Sequence, residues 1–345
     1  SDCWVDDARL VVLNALDAQA KGAQILTRTA ATKARRVNGL WEVELTGRGG
    51  ETSRVTAKAI VNAAGPWVEN VINGVVGANS ARRVRLVKGS HIIVKKFWEG
   101  QNAYLFQNHD KRVIFVNPYE GDKALIGTTD IPYEGRAEDV AIGEDEIEYL
   151  LKAVNRYSKV QLKRSDVEAS FSGVRPLYDD NAANPSAVTR DYVFDVEGSP
   201  PLLSVFGGKI TTYRKLAEHA LQKLKPTFPA MGADWTSAGA LPGGSLGAGG
   251  FAGYLKDLTA RHPWLPAAVA RHYVRLYGTL SEKIIGDATA LSGLGRHLGD
   301  TLYTAEVDYL RRHEWAMSAE DILFRRTKAG LHMTDAERKG VDALF

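Results

Sequence analysis

The chain has 345 residues, 44 Lys and Arg against 41 Asp and Glu, and a formal charge of +3, with 44% hydrophobic and 25% charged residues. That is the balance of a soluble globular protein of two or three domains. It is too weakly basic to indicate nucleic acid, and it suits an anionic substrate or an anionic membrane surface.

Cys3, the single cysteine, excludes an internal disulfide and a multi-cysteine metal or iron–sulfur site, so a reducing cytoplasm and no metal are expected. No apolar run approaches the roughly 20 residues of a membrane-spanning helix, and no signal-peptide pattern is visible. The chain opens without methionine and runs at once into a helical pattern, which predicts a segment cut from a longer chain.

Asp6 and Asp7 cap a predicted helix with Leu10, Leu13 and Leu16 at near-helical spacing, and Gly22 stops it. From 23 to 64 the period switches to two, with Trp41, Val43 and Leu45 alternating with polar residues and a turn at 47–50. Residues 58–67 read as an apolar strand ending in small residues, then a helix begun by Pro66. Antiparallel strands are predicted at 84–87, 91–95, 104–106, 113–116 and 124–126. A helix follows, with an acidic first turn at 144–146 and an apolar stripe of Ile147, Leu150, Leu151, Val154 and Tyr157. Strands return near 168–175, 190–195 and 202–206, the last running into Gly207, Gly208 and another helix. Residues 226–250 are Pro-, Gly- and Ala-rich and read as a linker. Beyond them the pattern is helical, with a capping-box-like start at Ser318–Asp321.

The strongest candidate site is Phe206-Gly-Gly-Lys-Ile-Thr-Thr-Tyr213. Two glycines let another group approach the backbone, and a helix starting there points its N–H groups and positive end the same way. Lys209 adds a full charge, suited to a phosphate or to the N1–C2=O edge of a reduced flavin. Spacing leaves open a plain strand–glycine–helix junction with a solvent-facing lysine. Arg175 and Arg190 lie on or beside apolar strands and can clamp a phosphate or carboxylate, or form salt bridges with Asp179, Asp180 or Asp191. His91, read as sitting where a turn enters a strand, can accept a proton from a substrate hydroxyl or be a hydrogen-bonded structural histidine. Residues 127–131, Gly-Thr-Thr-Asp-Ile, end a strand and can place hydroxyls in a cleft. Gly247–Ala252 fits a loose G-x-G-x-x-A pattern, but no strand precedes it, so the dinucleotide-binding context fails.

Taken together, the blocks Trp4–Leu10, Ile60–Trp67, Lys88–His91, Ile126–Asp130, Ser172–Leu177, Gly207–Tyr213 and Glu314–Leu323 with Arg325–Lys328 resemble the FAD-dependent, respiratory glycerol-3-phosphate dehydrogenases. The resemblance implies an α/β (α+β) fold in which 1–82 and 200–225 form a partial FAD-binding domain of the glutathione-reductase/D-amino-acid-oxidase type. Residues 83–199 then form an antiparallel substrate-binding domain, 226–250 a linker and 251–345 a C-terminal helical domain. The family's opening G-x-G-x-x-G segment is not among these residues, so weak FAD binding and no catalysis are expected of the segment alone.

The implied reaction takes glycerol 3-phosphate to dihydroxyacetone phosphate, hydride passing to FAD and electrons to a membrane quinone. Arg175 and Arg190 would hold the phosphate, with His91 as base and Lys209 and Arg175 also at the reacting centre. Ala63, Ala64, Gly65, Trp67, Gly207, Gly208, Lys209, Thr211 and Thr212 would line the cofactor. The enzyme would lie on the inner face of the cytoplasmic membrane, with a homodimer as a further expectation. A related flavin amine oxidase of the glycine or sarcosine type, and a non-catalytic binding or assembly fragment, remain as alternatives.

Overall fold

The computed structural model describes residues 5–80, 82–179 and 191–345, which divide into two compact units, 1–27 with 234–345 and 28–233. Helix α1 (Asp7–Ala20) opens the first unit, with the Asp6 side chain accepting from the Arg9 amide at 3.0 Å. Three antiparallel strands follow in the second unit: β1 (Thr29–Val37), β2 (Leu40–Gly47) and β3 (Thr52–Ala57). Next come β4 (Ile60–Asn62), a turn at Gly65–Trp67, and α2 (Val68–Asn70), which continues as a π turn to Val76.

The large antiparallel sheet is built from β5 (Val84–Lys95), β6 (Tyr104–Gln107), β7 (Val113–Tyr119), β8 (Lys123–Gly127), β9 (Ile131–Pro132) and β10 (Val167–Tyr178), in the order β10-β5-β8-β7-β6 with β9 beside β5. Helix α3 (Glu144–Asn155) covers one of its faces. Ile92, Val94, Ile114, Val116, Ala124 and Ile126 meet Ile147, Leu150, Leu151 and Val154 there, all buried. The expected turn before His91 does not exist. β5 runs unbroken because β10 pairs with it from Val84 to Val94.

β11 (Tyr192–Glu197) and β12 (Leu202–Gly207) form a three-stranded sheet with β4, β12 lying parallel to β4 and antiparallel to β11. β11 therefore belongs with the FAD-side sheet, outside the expected 83–199 substrate sheet, because its full length pairs with β12. β12 is buried on both sides and reads as an apolar run. Leu202 and Phe206 join Trp41, Val43, Val68 and Ile72, while Leu203 and Val205 meet α4 (Tyr213–Leu224) at Ala220 and Leu224.

The first unit contains α5 (Gly250–Arg261), α6 (Ala267–Tyr277), α7 (Ser281–Ile285), a hairpin of β13 (His297–Gly299) and β14 (Leu302–Tyr303), α8 (Thr304–His313), a π turn at Asp321–Arg326 and α9 (Asp335–Asp342). Its start differs from the expected grouping, since α1 joins this unit and not the FAD-side segment. Arg9, 4% exposed, pairs with Glu314, 0% exposed, and Asp6 pairs with Lys328. Neither long-range partner is visible from local periodicity. The stretch after 233 is packed as well: Gly243 carbonyl accepts from the Thr279 amide at 3.0 Å. The expected capping near 318 forms, with Ser318 Oγ accepting from the Asp321 amide and Asp321 Oδ2 from the Met317 amide.

Candidate active site

The parallel pair β4–β12 sets the first half of the site. Ser204 lies opposite Asn62, so both strands end at the same edge, where ligands of open α/β sheets bind. Beyond β4 the chain passes through Ala63, Ala64 and Gly65, while β12 ends on Gly207 and continues through Gly208 and Lys209. Buried Asn62 ties the first turn together, donating to Val68 O at 2.9 Å while its Oδ1 accepts from the Ala64 amide at 3.3 Å. Gly65 has φ +57°, and a Cβ there would meet only Pro176 Cγ at 3.8 Å. After β4 the backbone at 63–65 carries no side chain larger than a methyl, which leaves room for the flat ring of a flavin.

Gly207 and Gly208 have a different local cause from the one expected. Gly207 has φ +76°, and a Cβ on it would lie 2.9 Å from Asp191 O and 3.2 Å from Tyr178 N. A Cβ on Gly208, at φ +101°, would lie 2.9 Å from Leu216 Cδ1. The space at both is taken by the protein itself. Nor does a helix begin directly after them: a single turn at Ile210–Thr212 intervenes and α4 starts at Tyr213. Thr212 Oγ1 donates to Lys209 O at 3.1 Å, so its hydroxyl closes this turn. Lys209 and Thr211 are exposed at the edge. Trp67, 43% exposed, donates its Nε1–H to Glu138 Oε1 at 2.7 Å.

The second half stands on the face of the large sheet turned away from α3. His91 lies opposite Gly127 on β8 and Phe171 on β10, stacked on Phe171 at 5.0 Å and 12°. A Cβ on Gly127 would lie 2.1 Å from His91 Cδ2, and one on Gly89 would lie 2.2 Å from Arg175 Nη2. Strand glycines mark such close approaches. Here they seat the imidazole and the guanidinium side by side on one face. Arg175 Nη2 donates to Thr128 Oγ1 at 2.7 Å, and Nη1 lies 3.5 Å from Asp130 Oδ1. Pro176, directly after Arg175, and Tyr178, the last residue of β10, join the halves, Pro176 against Gly65 and Tyr178 against Gly207. Asp179 is paired with Arg85. Arg190, Asp180 and Cys3 lie outside the described residues.

Beneath this face sits Glu146, 2% exposed, which in the sequence is only one member of an acidic first turn. Its Oε1 accepts from Ser90 Oγ and Thr129 Oγ1, each at 2.7 Å, and its Oε2 accepts from the Gly143 amide at 2.9 Å and pairs with Lys88. Burial alone would raise this carboxyl, but Lys88, Thr129, Gly143 and Ser90 together hold it below the ordinary glutamate value. One sequence signal was available: Glu146 stands four residues before Leu150, on the helix's apolar stripe.

Residues 1–214 match the family described as FAD dependent oxidoreductase, and residues 235–344 the C-terminal domain of alpha-glycerophosphate oxidase. The fold is that of an FAD-dependent oxidoreductase with a C-terminal helical domain. D-erythritol 1-phosphate dehydrogenase of Brucella abortus is 61% identical over 98% of this chain and 68% of its own length. Aerobic glycerol-3-phosphate dehydrogenase of Escherichia coli is 47% identical over 99% of the chain and 69% of its length. The FAD complex of glycerol-3-phosphate dehydrogenase from Bacillus halodurans superimposes with a TM-score of 0.80 at 26% identity, covering 99% of this chain and 72% of that one. The chain thus spans about two thirds of the curated relatives it matches. It belongs to the FAD-dependent glycerol-3-phosphate dehydrogenase family, whose cofactor is FAD.

Proposed function

We propose that the protein oxidises the secondary hydroxyl of a short polyol phosphate, glycerol 3-phosphate yielding dihydroxyacetone phosphate. The observation that carries this reading is Arg175 and His91 seated on one sheet face, joined through β10 to the carboxyl edge of two parallel strands. FAD, when bound, supplies the acceptor for the hydride.

The chain's own residues bind and orient. Thr128 and Asp130 fix the plane of the Arg175 guanidinium, so a phosphate presented to that plane is met bidentately. Asp130 reduces the net charge offered, which leaves recognition dependent on geometry and on a second cation, for which Arg190 is proposed. His91, packed between Gly127 and Phe171, accepts the hydroxyl proton on its neutral imidazole. Lys209, with Thr211 and Thr212 in its turn, places positive charge at the cofactor edge formed with Ala63, Ala64, Gly65, Trp67, Gly207 and Gly208. Family likeness further supports a quinone acceptor, a peripheral position on the inner face of the cytoplasmic membrane, and a homodimer. Among the described residues no helix is long and apolar enough to cross a membrane.

A second reading takes D-erythritol 1-phosphate as substrate, favoured by the 61% identical relative. Steady-state turnover of glycerol 3-phosphate, D-erythritol 1-phosphate and N-methylglycine separates the readings. A phosphorylated polyol is expected to be oxidised and N-methylglycine not; turnover of N-methylglycine alone would return the amine-oxidase alternative. Arg175→Ala is expected to raise KM for the phosphorylated substrate roughly 10- to 100-fold, the worth of about 1.5–3 kcal/mol of charge-assisted hydrogen bonding. An unchanged KM removes Arg175 from the phosphate site.

A further inference from the structure

We propose that Glu146 is a positioning residue that sets substrate affinity from beneath the sheet, by locking the segment that aims Arg175. The proposal rests on the reading of Arg175 as the phosphate ligand.

Successive residues of a strand point to opposite faces. On β5, Gly89 and His91 face the site, and Lys88 and Ser90 face α3 and Glu146. The segment leaving β8 shows the same division: Thr129 turns inward to Glu146, while Thr128 and Asp130, on either side of it, hold Arg175. A single carboxylate oxygen therefore joins the residue preceding His91 to Thr129, whose carbonyl accepts from Arg175 Nη1 at 3.4 Å and whose two neighbours also hold the guanidinium. Further bonds close the arrangement. The Ser90 amide donates to Thr129 Oγ1 at 2.9 Å, the Thr129 amide to Ser90 O at 3.3 Å, and Ser90 Oγ lies 2.8 Å from Ser172 Oγ.

Thr129 is 1% exposed and Ser90 0%, so water has little access to replace these bonds, and a lost acceptor leaves buried hydroxyls to find new partners. The segment then settles elsewhere and the guanidinium plane turns with it. A displacement near 1 Å is enough to cost up to about 100-fold in an oriented site.

The test uses the FAD-loaded full-length enzyme with the phosphorylated polyol it turns over best, and inorganic phosphate as competitive inhibitor. Glu146→Gln is expected to raise KM and the phosphate inhibition constant together, by roughly tenfold, with kcat within about twofold. Thr129→Val keeps the volume and removes the hydroxyl, with its bonds to Glu146 and from the Ser90 amide, and is expected to give the same rise. Thr129→Ser keeps the bond and loses a methyl, and is expected to stay near wild type. The Glu146→Gln/Thr129→Val double variant is expected to show less than the product of the two single effects, because both changes act on the Glu146–Thr129 link.

A neutral Thr129→Val beside a damaging Thr129→Ser would make the position one of packing only and overturn the proposal. So would effects that multiply in the double variant. If Glu146→Gln does not fold, the threonine pair decides alone. Arg175→Ala separates the layers: no effect there sinks the phosphate reading itself, whereas a rise there with unaffected Thr129→Val sinks only the role of Glu146.

Discussion

Breaking the Arg9–Glu314 pair tests whether α1 is an integral part of the unit formed with residues 234–345. Both side chains are nearly sealed from water, at 4% and 0% exposure. The guanidinium also donates from Nε to Leu276 O at 3.2 Å and lies over the Tyr277 ring at 4.8 Å. Burial disfavours its charged form, but Glu314 more than compensates and the pKa is raised. Arg9→Ala therefore strands a carboxylate with no access to water, a change that costs about 3–5 kcal/mol for buried pairs. With roughly 2–4 °C per kcal/mol for a unit of this size, the transition of this unit is expected to fall by about 10 °C in scanning calorimetry.

Arg312→Ala serves as the control. Its i,i+4 pairing with Asp308 is exposed, at 74% and 55%, and is worth at most about 0.5 kcal/mol. Arg9→Met with Glu314→Met is expected to recover much of the loss, since an apolar pair of similar size removes the stranded charge. An Arg9→Ala transition indistinguishable from Arg312→Ala would refute the buried pair and, with it, the placement of α1.

Two further outcomes follow from local geometry. Gly207→Ala puts a Cβ 2.9 Å from Asp191 O at φ +76°. The 28–233 unit should lose more than about 1 kcal/mol in a denaturant melt, and a neutral result would mean that this close approach is absent. Tyr277 and Tyr273 are pushed upward, first by burial and then by Glu306, and Tyr309 by burial and then Glu314. In an absorbance titration these three of the 13 tyrosines are expected to stay protonated past pH ~10–11 until the unit unfolds. A folded-state pKa above the unfolded value leaves stability intact below the unfolded value and costs it as pH rises from there through the folded value. Smooth ionisation of all 13 near pH 10 in the folded protein would contradict the burial.

Much of the fold was legible because periodicity is local. The α3 stripe, the alternation around Trp41–Leu45 and the apolar β12 each show in a few consecutive residues, and the structure places elements there. What failed depended on distant partners. Nothing near Lys88–His91 says that β10 will carry the strand through a Gly-Ser pair, and nothing near Asp6–Arg9 points to Lys328 or Glu314. The glycines after β12 were identified as special, but their cause lies in Asp191, Tyr178 and Leu216. Glu146 was passed over because a glutamate in a first helical turn already has an adequate reason to be there, at the positive end of the helix.

The short block Lys88-Gly-Ser-His91 shows how four consecutive residues acquire distinct tasks from a period of two. Lys88 and Ser90 point inward and engage Glu146, which the adjacent apolar core would otherwise exclude. Gly89 and His91 point outward, and the glycine is needed because the Arg175 guanidinium occupies the space a Cβ would take. Gly127 does the same for the His91 ring. Each outward group thus rests on a position stripped of its side chain, and Gly89 lies between two residues that Glu146 engages. The four residues therefore act as one unit: the inward pair ties the strand to Glu146, and the outward pair leaves room for the Arg175 guanidinium and sets the His91 ring beside it.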